Sequence, residues 1–177
     1  MKIKNKLETA FILSSIISII IITPHIINYT EFYKAVEKCE IELHEVSADT
    51  TKLDQGIVIL RIIFNFSNPT HFAGLTVSVM TCNLRYTIPG GQGQYLIPGL
   101  TQKISPPLEV PSYKVTTATI NLTLNYLGQQ SGIQDLITNI KKYKQIELTI
   151  TGQYILNAYT YIFPISMGPF QQTVNFN

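Results

Sequence analysis

The stretch Ile57-Val-Ile-Leu-Arg-Ile-Ile-Phe-Asn-Phe66 decides the fold. Val58, Leu60, Ile62, Phe64 and Phe66 share one phase of a two-residue period, and Ile57, Ile59, Arg61, Ile63 and Asn65 share the other. Both phases carry large apolar side chains, so a strand here must be covered on much of both faces, as a central strand is. Asn68-Pro69-Thr70 ends it. Pro69 has no N–H to give to a ladder and pushes the residue before it towards an extended backbone.

Downstream, Leu75, Val77 and Val79 open a second strand on one phase, and Met80, Cys82, Leu84 and Tyr86 continue it on the other. A change of phase inside one strand marks a bulge. Thr87 to Pro111 holds five prolines, among them Pro89 and the Pro106-Pro107 pair, and reads as loops and short edge pieces. Alternation returns at Ala118, Ile120, Leu122 and Leu124, and Gly128 closes that strand. Ser131 and Gln134 fit a capping box ahead of Ile133, Leu136, Ile137 and Ile140, which predicts a helix with Lys141 and Lys142 in its last turn. Strands follow at Ile146–Asn157 and Tyr159–Ile165, with a last one near Thr173–Phe176. Tyr154 shares the phase of Ile146 and Leu148 and is expected in the core, whereas Tyr159 and Tyr161 are expected at its rim.

Upstream, Cys39, Ile41 and Leu43 alternate with Glu40, Glu42 and His44 in a first strand, followed by a polar turn region from Ser47 to Gln55. With about seven strands and one short crossover helix, the expected fold is mainly β, an immunoglobulin/fibronectin-III-like two-sheet sandwich.

Before this domain lies a different kind of segment. From Thr9 to Thr30 there are 22 residues without Lys, Arg, Asp or Glu. About 20 helical residues cross a ~30 Å hydrocarbon layer, so the run is long enough to span one. Ser14, Ser15 and Ser18 can bond back to the helix, and Pro24 is expected to kink or shorten it near its outer end. Tyr29, Phe32, Tyr33 and Val36 keep helical spacing, so the helix is expected to continue to about Lys38. Lys2, Lys4 and Lys6 also resemble the start of a cleaved signal, yet no Ala or Gly lies between Phe11 and Lys34 to serve a cleavage site. The chain is therefore expected to comprise a basic cytoplasmic tail (residues 1–8), a transmembrane anchor (9–30), a juxtamembrane helical stalk (31–38) and a β-sandwich domain (39–177). The lysine excess before the run places the N-terminus inside and the sandwich outside, on the extracytoplasmic side of the cell membrane.

Charge narrows the function classes. Only 14% of residues are charged, against roughly 25% in an average soluble domain. Seven of the eleven acids lie within residues 31–54. Such a chain is too apolar for a disordered tail and too sparsely basic for a nucleic-acid surface, so the expected partners are the lipid bilayer and a protein or envelope component.

The order of features from Glu37 onward resembles the water-stress and hypersensitive-response domain, also called late-embryogenesis-abundant type 2. The residues that carry the likeness are the short strand Cys39–Val46, the apolar strand Ile57–Phe66 running into Asn68-Pro69-Thr70, the strand Leu75–Tyr86, a Gly/Pro loop, the strand Ala118–Leu124, a helix, and the Gly-containing strand Ile146–Leu156. The third position of the family turn is often Asn, where this chain has Thr70. The resemblance implies a seven-stranded immunoglobulin-like sandwich with one helix, no catalytic residues, and a binding or stress-protective role.

Residues with chemical potential are dispersed. His25, His44 and His71 lack ligand spacing, so no metal is expected, and no cofactor. Glu40 and Glu42 share a strand face with no partner base and read as a solvated edge, with Glu45 close by. Gly90-Gly91-Gln92-Gly93 lacks the Lys-Ser/Thr and the helix of a phosphate loop and reads as a hairpin tip. No catalytic constellation is visible, and an enzyme is not expected. Cys39 and Cys82 leave two readings, one disulfide or two buried thiols on the apolar phases of their strands. Asn65-Phe-Ser and Asn121-Leu-Thr match the N-glycosylation pattern on polar phases, while Asn28-Tyr-Thr lies against the membrane. An alternative role is that of a pilin-like subunit of a surface filament, or of a membrane complex in which the apolar helix packs against other helices.

Overall fold

The computed structural model describes residues 2–91, 94–127, 131–159 and 161–176. A long helix, α1 (Lys2–Lys38), leads into β1 (Glu40–Asp49), a 3₁₀ turn (Leu53–Gln55), β2 (Ile57–Asn68), β3 (Leu75–Thr87), β4 (Gln94–Val110), β5 (Lys114–Asn125), α2 (Ser131–Tyr143), β6 (Gln145–Ala158) and β7 (Tyr161–Asn175). β1-β2-β5 form one antiparallel sheet and β4-β3-β6-β7 the other. This is the expected two-sheet sandwich with a single crossover helix.

β2 is the central strand of its sheet. Val58, Leu60, Ile62, Phe64 and Phe66 are all completely buried. Burial of each such side chain stabilises by about 1.5–3 kcal/mol relative to exposure. They share one core with Leu75, Val77, Met80, Cys82, Leu84 and Tyr86 of β3, whose inward phase changes where expected: register shifts between Val77 and Val79 in both of its pairings. The side chain of Asn157 donates to Ser78 Oγ at 2.6 Å at this bulge. α2 closes one end with Ile133, Leu136, Ile137 and Ile140, all buried.

Three expectations need correction, although the number of strands stays near seven. The stretch Thr87–Pro111, expected as loops, contains the 17-residue strand β4. Its prolines sit where pairing is interrupted: Val77 faces Leu108 but Val79 faces Lys103, so the segment holding Pro106 and Pro107 bulges out. A second shift, between Cys82 and Leu84, takes up Pro98 and Gly99. β4 is an edge strand, where missing N–H groups are tolerated. The last two expected strands are likewise one. β7 runs unbroken past Gly168-Pro169, because a bulge opposite Ile150–Gly152 absorbs the extra residue. The polar region after Val46 is also shorter than expected, since β1 extends to Asp49. Gly128, Gln92 and Gly93 lie outside the described residues, as does the Ser131 side chain.

α1 does not stop at Pro24 but continues through it to Lys38. Ser15 Oγ donates to the Phe11 carbonyl at 2.9 Å, and Thr30 Oγ1 to that of Ile26 at 2.8 Å, so these hydroxyls are satisfied inside the helix. The large apolar side chains from Phe11 to Ile22 stand exposed. Among the described residues, this is the helix long and apolar enough to cross a membrane, its most apolar 18-residue stretch having a mean hydropathy of 2.3.

Candidate functional site at the helix–sandwich junction

The junction is built from the turn after β2. Asn68 is fully buried and uses its whole side chain. Its Nδ2 donates to the carbonyls of Phe72 (2.9 Å) and Val110 (3.3 Å). Its Oδ1 accepts from the Thr70 N–H (3.1 Å) and the Thr70 hydroxyl (2.7 Å). Thr70 Oγ1 in turn accepts from the Phe72 N–H at 3.3 Å. Thr70 therefore fills the third position of the turn with a hydroxyl that both donates and accepts. Pro69 needs no partner for an N–H, so the motif is closed on itself and on the end of β4. It is a structural clasp.

What the clasp presents is His71-Phe72. The Phe72 ring meets Phe32 of α1 edge-on at 5.8 Å, and Phe32 stacks on Tyr161 of β7 at 5.1 Å. Tyr33 meets Phe163 at 5.7 Å, and Tyr29 meets Tyr161 at 5.3 Å. Phe32, Ala35 and Val36 are buried in the main core. The segment 31–38, expected as a stalk, is thus packed into the sandwich along one face. Beside it, Glu31 is held by Lys34 Nζ at 2.9 Å and by His71 Nε2 at 3.2 Å. The Lys34 hydrogen bond keeps the Glu31 carboxyl below its usual value. Sequence spacing had singled out the helix's aromatic residues, but not Phe72, Phe163 or the His71–Glu31 contact, which come from distant strands.

An open cleft of about 530 Å³ lies at this junction, lined by Pro24, Ile27, Asn28, Glu31, His71, Phe72, Ala73 and Tyr159. At the opposite end a polar cleft of about 470 Å³ is lined by Thr87–Gly91, Gln145, Glu147 and Thr173. The Gly90-Gly91 turn belongs to that end, where Gly91 donates its N–H to the Ile88 carbonyl at 3.0 Å.

The remaining candidates fall apart in space. Cys39 and Cys82 are both buried and free in the structure, as in the two-thiol reading. Cys39 ends α1 against the Tyr154 hydroxyl, while Cys82 lies in β3 between Gly152 and Leu100. Burial pushes each thiol up to about 11, and also raises Tyr154. Tyr154 is in the core as expected, and Tyr161 is half-buried, but Tyr159 is 79% exposed. Asn65 and Asn121 both point outward from the three-stranded sheet. The Asn65 carboxamide accepts from Thr117 Oγ1 at 2.9 Å, whereas Asn121 is exposed. Glu40, Glu42 and Glu45 line an exposed edge strand. Among the described residues no three His, Cys, Asp or Glu side chains gather closely enough to hold a metal ion.

No family model and no curated protein matches the chain. Among solved structures it is similar to a protein from Archaeoglobus fulgidus, with 14% identity, 75% of this chain and 94% of that one covered, and a TM-score of 0.46. It is also similar to an Arabidopsis thaliana protein solved in solution, with 12% identity, 77% of each chain covered, and a TM-score of 0.38.

Proposed function

We propose that this chain is a single-pass, membrane-anchored, non-enzymatic β-sandwich that works on the extracytoplasmic side in a binding, scaffolding or stress-protective role. One observation carries the reading. The exposed apolar helix runs without a break into turns whose Phe32, Ala35 and Val36 are part of the sandwich core. Anchor and domain are one body, so the domain is held at a fixed height above the bilayer. The lysines at positions 2, 4 and 6 support an inward N-terminus. The turn Asn68-Pro69-Thr70 and the strand order support the water-stress and hypersensitive-response resemblance, from which the protective role is taken.

The surface fits such a setting. It is poor in charge and rich in hydroxyls and amides, which do not titrate in neutral or acidic water. Asn121, exposed on the outer sheet face, is the sequon better placed to carry a glycan.

Membranes from cells expressing the full chain test the proposal. The protein should stay in the pellet after alkaline carbonate extraction, and a pull-down from detergent extract should recover it with a partner in fixed ratio. Release into the supernatant, or recovery as filaments cleaved near Lys6, would overturn it.

A further inference from the structure

We infer that the base of the sandwich is itself a lipid-contacting surface, seated in the headgroup layer with no free stalk between domain and bilayer. This rests on the anchor reading and goes further, since a helix can anchor a domain that never touches lipid.

Lys6 is the last lysine before the apolar run. About 20 helical residues beyond it cross a ~30 Å hydrocarbon core, which puts the outer boundary near Pro24 to Ile26. That is already the level of the sandwich: Tyr159, His71 and Ala73 line the same cleft as Pro24, Ile27 and Asn28. The headgroup layer on each side is about 5–7 Å thick. The β2–β3 loop and Tyr159 therefore lie inside it.

The side chains at that end suit the place. Tyr159 is 79% exposed and has a left-handed backbone (φ 53°). Tyr113, 70% exposed, comes from the β4–β5 turn at the same end, tied there by its N–H to the Thr70 carbonyl at 3.2 Å. Tyrosine, with an apolar ring and a polar tip, is enriched where hydrocarbon meets headgroups. Two exposed tyrosines from separate turns, on the end from which the apolar helix leaves, point to a lipid surface as their occupant.

The chain has no tryptophan, so single substitutions give unambiguous probes. Y159W, I16W and L127W full-length proteins are reconstituted into phosphatidylcholine vesicles carrying a nitroxide on the headgroup, or at a shallow or a deep acyl carbon. Ile16 is near the middle of the span, and Leu127 is 85% exposed beyond the far end of β5. Y159W should lose about twofold of its emission to the headgroup and shallow labels, as expected of an interfacial ring. I16W should respond most to the deep label, and L127W to none. If Y159W is quenched no more than L127W while I16W reports the deep label, the base stands clear of the membrane and this inference fails alone. If I16W is not quenched by the deep label, the anchor reading fails with it.

Discussion

Asn68→Ala is the sharpest test of how the junction is held. Asn68 is completely buried and makes four hydrogen bonds, two given to the carbonyls of Phe72 and Val110 and two accepted from Thr70. Each bond is worth about 0.5–1.5 kcal/mol net, and a buried group left without a partner costs about 1–3 kcal/mol. Alanine leaves two carbonyls, an N–H and the Thr70 hydroxyl without this partner, so the expected loss is about 4 kcal/mol. For a domain of this size 1 kcal/mol moves the melting temperature by about 2–4 °C, giving a fall of about 8–16 °C. Asn68→Asp should be at least as harmful, since it turns an oxygen towards the same two carbonyls. Thr70→Val removes only the hydroxyl's two bonds and should cost about 1–2 kcal/mol, while Thr70→Ser should be nearly neutral. Thermal unfolding of the full chain in detergent, followed by circular dichroism, gives the ranking. An Asn68→Ala melting point within about 2 °C of the parent, or a Thr70→Val loss exceeding it, would refute the clasp.

Other outcomes follow from the same geometry. Phe32→Ala, which removes a buried ring stacked on Tyr161, should cost about 3–5 kcal/mol in the same melt. Gly152→Ala should cost about 3 kcal/mol or more, because a Cβ there would collide with the Thr81 carbonyl oxygen of the neighbouring strand. Cys39 and Cys82, buried and raised to about 11, should resist alkylation in the native protein at pH 8. They should take up two adducts on unfolding without reductant; no adducts would mean a bridge. Glu31 and Asp49 have carboxyls held below their ordinary 4.5 and 3.8, Glu31 by Lys34 and Asp49 by the Thr51 N–H. Depressed carboxylates stabilise above those values and lose the contribution below them. The melting temperature should stay flat from pH 7 to about 5 and decline below about 4.5, with the domain still folded at pH 3. Unfolding at pH 3 would contradict this.

Local periodicity made much of this fold readable. β2, the bulged β3, β5, α2 and β6 each bury a face long enough for period two or 3.6 to dominate composition, and their inward residues are those the pattern selects. β4 and the middle of β7 escaped because Pro98, Gly99, Pro106 and Pro107 in one and Gly168 and Pro169 in the other fall in bulges, where the residue count between paired positions differs from the partner's. Composition registers those residues as breaks, whereas an edge strand accommodates them. At the junction, Tyr29, Phe32, Tyr33 and Val36 were legible as one helix face. Their partners Phe72, Tyr161 and Phe163 were not, since nothing local in a strand says which ring it will meet. Asn68-Pro69-Thr70 stood out as a turn, but its role in fastening His71-Phe72 against α1 needs the Val110 carbonyl, 42 residues away in sequence.

The most direct test of a sandwich held outside by a membrane-crossing helix uses the two native thiols as a silent background. Single variants Lys6→Cys and Leu127→Cys, each exposed, are offered a membrane-impermeant maleimide on intact cells and again after permeabilisation. Labelling of Leu127→Cys on intact cells, with Lys6→Cys reacting only once the membrane is opened, is the predicted result. Both positions reacting on intact cells, or Leu127→Cys reacting only after permeabilisation, would contradict it.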